Sequence, residues 1–230
     1  MASLRPFFSY YGSKWNAARY YPPPKHSRVA EPFAGGAGYS LFYGCEHVLL
    51  IDNDPIVVGV WDFLIKASAS DVAALPDMPE VGDSVDSYNM PDEAKWLIGF
   101  WLNKGSASPK KTRTEFSTRT DRAQLNWGPK AKARIIQQMP SIRGWQARLG
   151  SYDSAPNLDA TWFIDPPYTG KGRFYRVGFD DYVALGEWCQ RREGQTIVCE
   201  GPGASWLPFK ELGSFKTTKG RADEFVYITG

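Results

Sequence analysis

Cysteine and histidine are scarce in this 230-residue chain, at three and two residues. Cys45, Cys189 and Cys199 form no Cys-x-x-Cys pair, and their odd number leaves no complete disulfide framework. A disulfide-stapled fold and a cysteine-based metal motif are therefore excluded, and no metal site is expected. The cysteines read as reduced, buried thiols of a cytoplasmic protein. No apolar run approaches the ~20 residues that a membrane span needs, and no secretory signal pattern is visible, so no membrane partner is expected. Internal repeats are absent too. Net charge is almost absent, at +2, while 43% of residues are hydrophobic, which supports a packed core and excludes global disorder.

The small net charge hides a strong asymmetry. From Asp52 to Glu93 there are ten acids and one base, a net of −9; from Lys104 to Arg148 there are eleven bases and two acids, a net of +9. Bases gathered in one stretch are the electrostatic footprint of a polyanionic partner, although a solvated helical face gives the same pattern. Aromatic residues are plentiful, at 15%. They suit core packing and also flat surfaces on which a base could stack.

Strands are predicted at residues 28–33, 47–51, 161–164, 196–199 and 224–229. Helices are predicted at 13–20, 39–44, 55–67, 92–103, 129–139, 141–149 and 180–192, and residues 70–92 read as loop. Strand and helix alternate at both ends of the chain, and the middle is helical and basic. This implies an α/β fold, a doubly wound, mostly parallel, Rossmann-like sheet. Residues 1–69 and 151–230 would form it, with 70–150 an inserted, mainly helical region.

Three motifs carry chemistry. The first is Glu31-Pro32-Phe33-Ala34-Gly35-Gly36-Ala37-Gly38, where a strand enters and a helix leaves. Its glycines permit a tight turn and close approach to a ligand. The second is Asp52, after the next apolar run, placed to accept hydrogen bonds from ribose hydroxyls; Asn53 adjoins it, and Asp54 reads as a helix N-cap. The third and most specific is Asp165-Pro166-Pro167-Tyr168 after the run Thr161–Ile164. Two prolines fix φ, remove two N–H donors and hold their predecessors extended. The product is a stiff loop offering a carboxylate, proline carbonyl oxygens and an aromatic ring, a set that suits a planar group bearing an NH2.

With Tyr10-Tyr11-Gly12-Ser13-Lys14 near the N-terminus, the order of these motifs resembles the Dam-type DNA adenine methyltransferases, an amino-group family dependent on S-adenosylmethionine. The resemblance covers most of the chain in outline. It implies a catalytic cofactor-binding domain at 1–69 and 151–230 with base flipping, and a target-recognition region at 70–150. It implies that Tyr10, Gly12 and Lys14, the segment Glu31, Pro32, Phe33, Ala34, Gly35, Gly36 and Gly38, and Asp52, Asn53, Asp153 and Asp165 surround the cofactor. Catalysis would fall to Asp165, Pro166, Pro167 and Tyr168, with Asp165 and the Pro166 carbonyl accepting the amine hydrogens and Tyr168 stacking on the extruded base. Ser13 stands where the family more often has glycine, and residues 70–150 match no recognition region.

Contacts to double-stranded, sequence-specific DNA are expected from Lys110, Lys111, Arg113, Arg119 and Arg122, and from Lys171, Arg173, Tyr175 and Arg176 in the loop after the proline motif. A monomer or weak dimer is expected, in a bacterial or phage-infected cell. Competing readings are methylation of the cytosine 4-amino group or of RNA adenine, a non-catalytic DNA-binding protein of the same fold, and a nicotinamide dehydrogenase. The last lacks the G-x-G-x-x-G spacing, since position 41 is leucine.

Overall fold

The computed structural model describes residues 3–102, 105–115, 126–169, 175–217 and 220–230. A seven-stranded sheet forms the centre, in the order β3-β2-β1-β4-β5-β7-β6. The strands are β1 (Arg28–Glu31), β2 (His47–Asp52), β3 (Gln146–Leu149), β4 (Ala160–Ile164), β5 (Gly194–Glu200), β6 (Lys210–Thr217) and β7 (Gly220–Thr229). β1 to β5 pair in parallel, and β7 runs antiparallel to both β5 and β6. The helices are α1 (Gly38–Tyr43), α2 (Pro55–Lys66), α3 (Ala69–Ala73), α4 (Asp92–Leu102), α5 (Pro129–Gln138) and α6 (Tyr182–Gln190). The architecture is α/β, with a mostly parallel, Rossmann-like sheet.

Both faces of the sheet are covered, which is why its strands read as continuous apolar runs. Side chains still alternate between faces. Val29, Val48, Leu50 and Phe163 point into one core with α1, α2, α4 and α5. Ala30, Leu49, Ile51, Trp162 and Ile164 point into the other, against α6. Trp61 of α2 is fully buried in the first core, touching Phe7, Phe8 and Trp145. Residues of the 70–150 stretch, Leu75, Met78, Leu97, Phe100, Trp127 and Ile135 among them, belong to that same core. Among the described residues no helix is long and apolar enough to cross a membrane.

Two expectations are corrected, and one strand is new. Residues 141–149 are not helical: a 3-10 turn ends at Ile142, and Gln146–Leu149 is strand β3. The helical spacing of Ile142, Trp145 and Leu149 is outweighed by the open edge of β2, to which β3 bonds with Asp52 opposite Leu149. The Trp145 indole N–H, bound to the Cys45 carbonyl at 2.9 Å, fixes that register. Residues 13–20 form two 3-10 turns, Lys14–Asn16 and Ala18–Tyr20, instead of one helix. Strand β6 was not foreseen, because Lys210–Thr217 is weakly apolar and interrupted by a bulge at Gly213, whose φ is +142°.

Candidate functional site

In an open parallel sheet, ligands bind beyond the carboxyl ends of the strands where the strand order reverses. Here that point lies between β1 and β4, and the sequence motifs converge on it. An acid closes each of the four central parallel strands: Glu31 on β1, Asp52 on β2, Asp165 after β4 and Glu200 on β5. A pocket at this edge is lined by Phe33, Ala34, Gly35, Gly36 and Gly38 of the glycine turn, by Glu31, Asp52 and Asn53, by Asp165 and Pro167, and by Tyr10, Gly12 and Lys14. Tyr175 and Arg176 also line it, and its free volume is about 50 Å³. The Tyr175 ring meets Tyr11 edge-on, and Arg176 Nε lies 3.0 Å from the Asp54 carboxylate.

The glycines serve the chain itself. Gly35 has φ +42°, a left-handed conformation that favours glycine. A Cβ on Gly38 would lie 2.5 Å from the backbone nitrogen of Trp15 and 2.8 Å from that of Lys14. The missing side chain lets the Tyr10–Lys14 segment cross the turn, and this crossing carries Lys14 into the interior. There the ammonium is 2.8 and 3.0 Å from the two Asp165 oxygens, and it donates to the Gly12 carbonyl at 3.2 Å. It also sits 4.7 Å above the Tyr168 ring. The Asp165 carboxyl is raised to about 6, chiefly by burial, with Lys14 opposing the rise and Glu224 and Glu200 adding to it.

Each of the other acids has a local task. Asp52 accepts the Gly35 N–H and the Asp54 N–H, both at 2.9 Å, and burial raises it to about 6. Asp54 caps α2 by accepting the Ile56 N–H at 2.9 Å, as the sequence implies. Glu31, 3% exposed, accepts the Ser40 N–H at 2.9 Å in the first turn of α1, and burial raises it to about 7. Glu200, fully buried, accepts the Gly201 N–H and the Trp206 indole. Glu224 on β7 accepts the hydroxyls of Tyr168 and Tyr21.

No model of a known protein family matches this chain, nor does any curated protein.

Several anticipated site residues stand outside the pocket. Pro32, Asp153, Pro166 and Tyr168 do not line it. Asp153 is exposed in a 3-10 turn after β3, beside Tyr152, whose ring stacks on Phe33 at 5.8 Å. Tyr168 is buried with its hydroxyl fixed on Glu224. The Pro167 carbonyl is not free, because it accepts the Tyr182 hydroxyl at 2.7 Å. Among the described residues the Pro166 carbonyl accepts no hydrogen bond, so it alone keeps the open acceptor that the motif suggested. Lys110 and Lys111 are exposed, the latter paired with Asp86 at 2.9 Å. Arg113 donates to the Met78 and Trp127 carbonyls, bracing the chain. Arg119, Arg122, Lys171 and Arg173 lie outside the described residues.

Sequence reasoning missed Glu200, Glu224 and the Lys14–Asp165 pair. Glu200 had a signal: Val198-Cys199-Glu200 repeats the pattern of Leu50-Ile51-Asp52 and Phe163-Ile164-Asp165, an acid closing an apolar run. Glu224 had none, because β7 meets the proline motif only through the sheet order.

Proposed function

We propose that this protein is a DNA methyltransferase that uses S-adenosylmethionine to methylate the 6-amino group of adenine in DNA. One observation carries the reading: Asp165 of the proline motif shares a pocket with the glycine turn after β1 and Asp52 after β2, where the strand order reverses. The charge of that pocket supports a cationic cofactor. Glu31, Asp52, Asp54 and Asp165 line it, and its two cations, Lys14 and Arg176, are already paired. The N-terminus of α1, which in a dinucleotide enzyme would hold a diphosphate, is answered by the Glu31 carboxylate. A sulfonium and an ammonium suit such surroundings, and a diphosphate does not.

The donor set fits the group. Asp52 keeps lone pairs for ribose hydroxyls beyond its backbone partners. Phe33, backed by Tyr152, offers an aromatic wall for the cofactor's adenine. When bound, the cofactor supplies an electrophilic methyl group. With a free volume of about 50 Å³, the pocket must widen to admit a molecule of that size, and Tyr175 and Arg176 are among the side chains that line it.

The residues of the chain prepare the amine. An adenine amine is a weak nucleophile, because its lone pair is delocalised into the ring. Asp165 and the Pro166 carbonyl would each accept one amine hydrogen, favouring pyramidal nitrogen and an exposed lone pair. Lys14 holds Asp165 in its ionised form. A paired adenine has its amine occupied, so the base must leave the helix. On this reading residues 70–150 form the target-recognition region and their bases neutralise phosphates.

The test is Asp165→Ala. Transfer of labelled methyl from S-adenosylmethionine to duplex DNA should fall by about a hundredfold or more, with the fold intact by thermal melting. Digestion of the wild-type product should yield 6-methyladenine. Near-normal turnover in a folded variant would refute the role of Asp165, and label on cytosine would change the substrate.

A further inference from the structure

The β6–β7 hairpin runs past the sheet. β5 ends at Glu200, opposite Phe225 of β7. Beyond that level, Gly220–Glu224 of β7 pair only with Gly213–Thr217 of β6. Since β6 points the same way as the parallel strands, this two-stranded ribbon leaves the sheet at the edge that carries the pocket. Five residues per strand carry it about 17 Å outward.

Its base is fastened to the site, because Glu224 holds the Tyr168 hydroxyl. On its flank Phe215 stacks on Tyr20 at 4.2 Å with 19° between the planes, and Tyr20 remains 48% exposed. Arg19 lies over the Tyr20 ring. Arg221 is exposed, and its guanidinium is steadied along the ribbon by Ser214, with Nε to Oγ at 3.1 Å. An arginine so held keeps further donors for another partner. In sequence, positions 216–221 read Lys-Thr-Thr-Lys-Gly-Arg, three bases and no acid; the ribbon's acids, Asp223 and Glu224, lie nearer its base.

We infer that the β6–β7 ribbon is a DNA-docking arm that lies in a groove beside the target base, with Arg221 against the phosphate backbone and the Tyr20–Phe215 pair as an apolar flank. The inference rests on DNA being the substrate. A two-stranded β-ribbon fits the major groove, which is about 12 Å wide. Its attachment through Glu224 to Tyr168 ties the position of the arm to that of the reacting base.

The experiment compares the unaltered protein with Arg221→Gln and with Arg221→Glu. Fluorescence anisotropy with a labelled duplex of about 20 base pairs, between about 50 and 200 mM salt, gives the affinity and its salt slope. The slope of log Kd against log salt should fall by about one in Arg221→Gln and by more in Arg221→Glu. Affinity near 0.1 M salt should weaken about tenfold per cation removed. KM for DNA should rise while kcat at saturating DNA and binding of S-adenosylmethionine stay unchanged. Wild-type affinity and slope in both folded variants would overturn the arm while leaving the methyltransferase reading intact. Absence of DNA binding by the unaltered protein would overturn both.

Discussion

Lys14 and Asp165 are 151 positions apart in the chain, yet they form the central electrostatic contact of the site. The lysine keeps a buried carboxyl ionised near neutral pH, against burial and against Glu224 and Glu200. In Lys14→Met the Asp165 carboxyl loses its counter-charge and its pKa rises further. The acid limb of the pH–rate profile for methyl transfer should therefore move upward from about 6. Lys14→Arg should restore part of the shift; an unmoved acid limb in Lys14→Met would show that the pair does not govern the reaction. Glu31 gives a stability test with a definite sign. Its folded-state pKa, about 7, lies above the ordinary value of 4.5, so the native state binds the proton more tightly. Glu31 therefore favours folding at low pH, and its ionisation erodes stability as pH rises from about 4.5 to 7. Glu31→Gln keeps an oxygen acceptor for the Ser40 N–H and removes the charge. Urea unfolding should find it more stable than wild type at pH 8, with the advantage gone at low pH.

At the level of elements, the glycine turn and the N-terminal segment form one unit. Gly38 opens α1 at an ordinary φ, so the objection to a side chain there is steric: its Cβ would strike the backbone of Lys14 and Trp15. Backbone cannot yield as a flexible side chain can. Gly38→Ala should cost about 1–3 kcal/mol, the usual range for overpacking. It should also impair methyl transfer beyond what its melting temperature explains, because it pushes Lys14 away from Asp165. Activity lost only in proportion to unfolding would argue against that coupling. Ala37, between two glycines of the turn, is itself left-handed, with φ +46°. Such strain persists only where the surroundings enforce it, and the buried Ala37 is held within the main core.

Across the whole molecule, the 70–150 stretch and the sheet share packing. Leu97, Phe100, Trp127, Ile135 and Ile142 lie in one hydrophobic cluster with Val29, Leu50 and Trp61, and β3 supplies the outer parallel strand. Removing residues 70–150 and joining 69 to 151 by a short linker should therefore leave no cooperative unfolding transition by calorimetry. A sharp transition from that shortened chain would show that the sheet folds without it. Two described residues of the basic stretch, Arg113 and Lys132, are tied to backbone carbonyls of the 73–78 segment.

By itself the sequence determined the parallel centre of the sheet and the acids at its edge. Apolar runs ending in Glu31, Asp52 and Asp165 are local patterns, and strands buried on both faces leave little choice of conformation. The prolines of the 165–168 motif act on their own φ angles and need no tertiary partner. The tertiary structure alone decided the rest. Residues 141–149 carry helical spacing, yet Gln146–Leu149 become β3, because the unpaired edge of β2 offers hydrogen bonds that no local preference outweighs. Lys14 reaches Asp165, and Glu224 reaches Tyr168, only because the strand order brings distant segments together. No spacing rule in the chain encodes a contact between residues that meet through the sheet.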